Sequence, residues 1–248
     1  MKSRFISSPG THRRWVARIG AAAWVLNAAQ FLVVQLIAGS RWHTPYSWRN
    51  NNISDLGNVR CQMWDESRPR YVCSPLHTLM NTSFAAQGVL LLIGMVLTGF
   101  IWGRGAMAWT TRILFAIGAA GWVLVGMVPA DVNEDLHVLG ALLIMGLGNI
   151  GLLCAGCVRK DAPLARVRVV SLTLAATAFL ATWMFFARHD PGTGLGGMER
   201  IAAGMTQLWT LAVALVALRA TGKTSSRQGR SDHQPDVAPL RGRAATKG

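Results

Sequence analysis

Six apolar runs, each about as long as the 20-residue helix that crosses a lipid bilayer, are the strongest constraint on how this chain folds. They are Trp15–Gly39, His77–Trp102, Thr110–Val128, His137–Cys157, Val169–Ala187 and Ile201–Leu218. Hydrocarbon offers no water to backbone N–H and C=O groups, so a spanning segment is a helix or a strand of a closed barrel. None of these runs alternates with a period of two, and the chain therefore reads as an all-α integral membrane six-helix bundle. Charged residues are 15% of the sequence, against about 25% in a soluble domain. That balance excludes a disordered chain and a nucleic-acid-binding domain, and fits a soluble enzyme poorly. The partner it implies is the lipid bilayer.

The net charge of +14 sits between and beyond the apolar runs. Counting Lys and Arg by flank puts eighteen with the N-terminal segment, the second and fourth loops and the tail, and seven with the other three loops. Basic residues stay on the cytoplasmic side, so both termini are expected there, with an even number of crossings. The first run has an apolar stretch of about 20 residues, longer than the 7–15 of a cleavable signal, and reads as an uncleaved anchor. The expected organisation is a cytoplasmic segment 1–14, a membrane domain 15–218 with a structured extracytoplasmic cap at 40–76, and a disordered, basic cytoplasmic tail 219–248. The Ala/Arg/Gly-rich composition reads as bacterial, and the location as the plasma membrane.

The loop 40–76 carries Trp42, Tyr46, Trp48, Trp64 and the run Asn50-Asn51-Asn52-Ile53-Ser54-Asp55-Leu56-Gly57-Asn58. Aromatic residues at this level form an interfacial belt. Cys61 and Cys73 lie in the same loop; on an oxidising face they form a disulfide worth about 3 kcal/mol by closing a short loop, and otherwise stand as two free thiols. Cys154-Ala-Gly-Cys157 reads as small packing residues on an apolar helix, or as a redox or metal pair.

Asn52-Ile53-Ser54-Asp55-Leu56-Gly57 after the first run, Leu76-His77 with Asn81 and Phe84 opening the second, Gly126 and Pro129 before Leu136-His137-Val138-Leu139-Gly140-Ala141, and Gly197-Met198-Glu199-Arg200-Ile201 opening the last, with Trp209 inside it, together resemble one family of bacterial and archaeal membrane proteins. It is known as the domain of unknown function 998 family, and the similarity covers roughly residues 15–218. The resemblance implies a six-span bundle and carries no activity with it.

The ionisable residues that are not basic topology markers gather at one membrane face. Asn52, Ser54, Asp55, His77, Asn81, Asp131, His137, Glu199 and Arg200 are the candidate ligand-binding set. Each has a simpler reading. Asp131, Glu134 or Asp135 caps the fourth helix, Glu199-Arg200 is an interfacial pair at a helix start, and His77 and His137 hydrogen-bond to Asp55, Ser54 or Asn52 and pin the cap. His77, His137 and His189 are also a candidate zinc site, in which bound metal would make a nucleophile of water. The deeper Asn27, Gln30, Gln35, Gln87, Asn149 and Gln207 either bond between helices or line a path inward. Three functions follow: binding or transport of a lipid or small amphiphile at the outward polar site, a metal-dependent intramembrane hydrolase, or a non-catalytic partner protein.

Overall fold

The computed structural model describes the backbone of residues 9–231 and the side chains of residues 12–221. The helices are α1 (Pro9–Ser40), α2 (His77–Leu97), α3 (Ala106–Met127), α4 (Glu134–Leu142), α5 (Asn149–Gly156), α6 (Arg168–Phe186) and α7 (Gly194–Ser231). A π-helical stretch, Leu143–Gly148, joins α4 to α5, so the two cross as one span and six helical segments are long and apolar enough to traverse a bilayer. The segments 1–8 and 232–248, and with them most of the expected tail, lie outside the described residues; the part of that tail up to Ser231 continues α7.

Neighbouring spans in sequence pack side by side, and α1 packs against α7, which closes the bundle into a ring. The outward faces stay apolar: Val25, Leu32, Val33, Val89, Val96, Leu180, Trp183 and Leu215 are all exposed. Water would penalise such a continuous apolar surface, and hydrocarbon does not. Two aromatic clusters fill the interior. At the end away from the 40–76 loop, Trp209 stacks on Phe115 at 4.7 Å beside Trp24 and Trp102, and its Nε1 donates to Ser171 Oγ at 2.9 Å. At the opposite end, Phe31, Phe84 and Trp122 pack together. Small residues let backbones meet: a Cβ on Gly121 would lie 2.7 Å from the Gly140 carbonyl oxygen, and one on Gly140 would lie 2.7 Å from Val125 Cγ1.

The deep polar residues bond between helices, except Gln35, whose Nε2 turns back to the Phe31 carbonyl within α1 at 3.4 Å. Asn27 Nδ2 donates to the Gln87 carbonyl at 2.8 Å, Gln30 Nε2 to Gln87 Oε1 at 2.8 Å, and Ser83 Oγ to Gln30 Oε1 at 2.6 Å. Gln87 Nε2 in turn donates to the Gln207 side-chain oxygen at 2.6 Å, tying α1, α2 and α7 together. Asn149 Nδ2 reaches the Ala202 carbonyl on α7 at 3.1 Å. Each bond satisfies a group that lipid cannot.

Several boundaries differ from the sequence expectation, and two have a clear local cause. The second span ends at Leu97 instead of Trp102, because Thr98 turns the chain: its hydroxyl donates to the Gly94 carbonyl and accepts from Trp24 Nε1. The last helix begins at Gly194 instead of Ile201. There the Asp190 carboxylate accepts the N–H groups of Gly192 and Gly194 at 2.7 and 2.6 Å, and these same bonds hold its carboxyl below the ordinary carboxylate range. Glycines and charges hide this first turn from a hydropathy count.

Candidate functional site

The loop between α1 and α2 folds into a cap. A 3-10 turn at Ser54–Gly57 is followed by a hairpin of β1 (Gln62–Trp64) and β2 (Arg70–Val72), which pair antiparallel with Trp64 opposite Arg70. Cys61 and Cys73 are bonded just outside the strands. Asp55 lies at the centre, fully buried. Its carboxylate takes the Arg70 guanidinium in a two-pronged grip, Nη2 at 2.6 Å and Nε at 2.7 Å, and also accepts the Asn52 N–H at 2.9 Å. Arg70 Nη1 donates to Asp65 at 3.0 Å. Burial opposes the Arg70 charge, but the Asp55 and Asp65 carboxylates outweigh it and raise its pKa. Asp65 is likewise disfavoured by burial, yet the Ser67 hydroxyl and Arg70 hold it below the ordinary range. Arg68 donates to the Asn50 carbonyl and to Asn52 Oδ1.

Four side chains from the bundle fasten this cap through its backbone. Asn81 Nδ2 donates to the Gly57 carbonyl at 2.8 Å. Asp131 accepts the N–H groups of Val59 and Arg60 at 3.1 and 2.7 Å. Glu199 accepts the Ile53 N–H at 2.5 Å. Arg200 donates to the carbonyls of Trp48 and Asn51 at 3.0 and 2.8 Å, and its guanidinium lies 4.6 Å from the Trp48 ring centroid. Arg200 Nη2 also meets the Tyr46 hydroxyl. Burial pushes that phenol's pKa up, against the pull of Arg200.

Several sequence expectations are corrected by this geometry. Neither histidine holds the cap through Asp55, Ser54 or Asn52. His77 Nδ1 donates to the Ser74 carbonyl at 3.0 Å and His137 Nδ1 to the Val128 carbonyl at 2.8 Å. A carbonyl accepts only from an N–H, so each ring carries a proton on Nδ1 and Nε2 is its free nitrogen. The fourth span is capped by Asn133, whose side chain accepts the Leu136 N–H at 3.1 Å; Asp131 is spent on the cap, and Glu134 and Asp135 stand exposed in the first turn. Glu199 and Arg200 lie in the second turn of α7 and reach separately for loop backbone. His189 packs against Trp183, with ring centroids 6.2 Å apart. Among the described residues no three His, Cys, Asp or Glu side chains come together as a metal-holding group.

Beneath the cap a cleft of about 310 Å³ opens between α4, the end of α6 and the start of α7. Its polar side carries Asn52, Ser54, Asp65, Arg68, Arg70, Glu134, His137, Arg188 and Glu199. Its apolar side is Val138, Ala141, Met145, Phe185, Phe186 and Leu195. A pit of about 30 Å³ leads from the shared wall of Ser54, His137, Ala141, Met145 and Glu199 towards Phe84 and Trp122. Of the candidate set, the cleft brings together Asn52, Ser54, His137 and Glu199; Asp55, His77, Asn81, Asp131 and Arg200 serve the cap and its joints instead. Sequence reasoning missed Arg68, Arg70 and Arg188, because arginines had been assigned to topology. It also missed Phe185 and Phe186, which read as ordinary span residues.

A closed ring of six apolar helices, braced by buried amides and roofed at one end by a hairpin, defines a multi-pass membrane protein with a site at its roofed end. The chain belongs to the family described as a protein of unknown function, DUF998, whose model matches residues 14–216. No curated protein and no solved structure matches it significantly.

Proposed function

We propose that the cleft binds a lipid or small amphiphile, with the polar part under the cap and the apolar part along α4 and α6. The observation that carries this reading is the division of one cavity into a charged side from the cap and an apolar side from the spans. Val138 and Phe186 on its apolar side are exposed, and in this reading they let the cleft open sideways towards the bilayer. The test is native mass spectrometry of the purified protein. Ala141→Trp, which fills the shared wall, should lower lipid retention about tenfold while leaving the melting temperature within a few degrees of wild type. Equal retention by the two proteins would remove the reading.

The same proposal places the cap outside the cytoplasm of a bacterial plasma membrane and both termini inside, on the strength of the Lys/Arg count. Alkaline phosphatase fused after Gly248 should then be inactive, and active when inserted after Glu66; the opposite pattern would invert the orientation.

A further inference from the structure

The charges of the cleft do not sum to a simple anion site. Arg68, Arg70 and Arg188 face Asp65, Glu134 and Glu199, with Asp55 directly behind, so carboxylates outnumber guanidiniums. Arg70 is fully engaged by Asp55 and Asp65. Two charges of opposite sign are less engaged, although Arg188 acts on Asp65 at longer range and helps hold its carboxyl low. The side chains of Arg188 and Glu134 make no hydrogen bond or ion pair among the described residues, yet both line the cleft. Arg68 is already committed: its two Nη atoms donate to the Asn50 carbonyl and Asn52 Oδ1, and its enclosed Nε faces Asp65 Oδ2 at 3.9 Å.

We propose that the cleft recognises a phospholipid whose headgroup carries a primary amine. The phosphate lies against Arg188, the ammonium against Glu134, and one acyl chain along Val138, Phe185 and Phe186. This inference rests on the cleft being an amphiphile site. A headgroup with only a negative charge would leave Glu134 unpaired and add to the excess of carboxylates. A quaternary ammonium has no N–H to give Glu134, whereas a primary ammonium has three. A soluble phosphate ester of the same amine shares the headgroup chemistry but leaves the apolar wall uncovered, so the lipid is the preferred source.

The experiment offers the purified, full-length protein equal amounts of phosphoethanolamine, phosphoglycerol and phosphocholine lipids with matched chains, and reads retention by native mass spectrometry. Wild type should retain the phosphoethanolamine lipid roughly threefold to fivefold over the other two, the range set by one partly exposed ion pair. Glu134→Gln should erase that preference while total retention persists; the Glu134 side chain makes no hydrogen bond or ion pair among the described residues, and glutamine keeps its size, so the variant should fold. Arg188→Gln should weaken retention of all three lipids. Soluble glycerophosphoethanolamine should fail to displace the lipid at concentrations where the lysolipid succeeds. If wild type retains no more lipid than Ala141→Trp, the amphiphile site itself is absent. If it retains lipid without headgroup preference, prefers phosphoglycerol, or keeps its preference in Glu134→Gln, only the headgroup assignment falls. Displacement by the soluble headgroup as readily as by the lysolipid would overturn the lipid as source.

Discussion

Asp55→Ala is expected to lower the melting temperature of the detergent-purified protein by about 6–20 °C, since stranding the partner of a buried ion pair costs about 3–5 kcal/mol and each kcal/mol is worth about 2–4 °C at this size. Asp55 is fully buried, and the side chain of Arg70 is 11% exposed. Removing the carboxylate takes two guanidinium bonds, the Asn52 N–H and the 3.3 Å contact from Asn51 Nδ2 together. Asp65 remains on Arg70, but it reaches only Nη1. The double variant Asp55→Leu/Arg70→Met should recover at least half of the loss, because exchanging both partners for apolar residues leaves no charge unpaired. A shift below about 2 °C in the single variant would show that the pair does not organise the cap.

Gly196→Ala is the second large effect, and it is local. A Cβ there would lie 2.2 Å from the Asn51 carbonyl oxygen and 3.0 Å from that of Arg49. Both are backbone atoms, so no rotamer change relieves the clash, and overpacking of this kind costs about 1–3 kcal/mol. The loop has to lift from α7. That breaks the Gly196 N–H bond to the Arg49 carbonyl at 3.0 Å and draws the Trp48 and Asn51 carbonyls away from Arg200. Limited trypsin cleavage after Arg49 should accelerate about tenfold, as expected when local opening becomes easier by about 1.4 kcal/mol. Gly204→Ala in the same helix is the control. A Cβ there meets nothing within 4 Å, and the exchange should leave cleavage unchanged and add up to about 1 kcal/mol of helix stability. Equal cleavage rates in the two variants would refute the clash.

The spans were legible because lipid imposes their length on the sequence. Their ends were not, because a hydropathy count weighs side chains and cannot see a turn made by backbone. Asp190 holding two glycine N–H groups starts α7 in a stretch that reads as loop. The candidate site was half legible for a related reason. Acids and histidines drew attention as scarce groups, and Asn52, Ser54, His137 and Glu199 do meet in the cleft. Asn81 and Asp131 were singled out for the right face but bond to loop backbone, a partner that spacing does not reveal. The arginines were discounted as a group. A flank count treats Arg68, Arg70, Arg188 and Arg200 alike, although Arg70 bridges carboxylates, Arg200 pins carbonyls, Arg68 ties the loop to Asn50 and Asn52, and Arg188 lines the cleft without a close ion pair. What separates them is the neighbour each finds after folding, and several of those neighbours lie more than a hundred residues away.

That separation sets an order of events during synthesis. Ile53 meets Glu199 across 146 residues, and Asn51 meets Arg200 across 149. With translation at about 5–20 residues per second, the first loop leaves the ribosome roughly 7–30 s before its last fasteners are made. Asp55, Arg70 and the Cys61–Cys73 bond are internal to the loop and can close in that interval. The roof therefore assembles as a preformed piece and is fully locked only when the final helix arrives, so a nascent chain arrested before Gly194 carries a finished lid held by Asn81 and Asp131 alone.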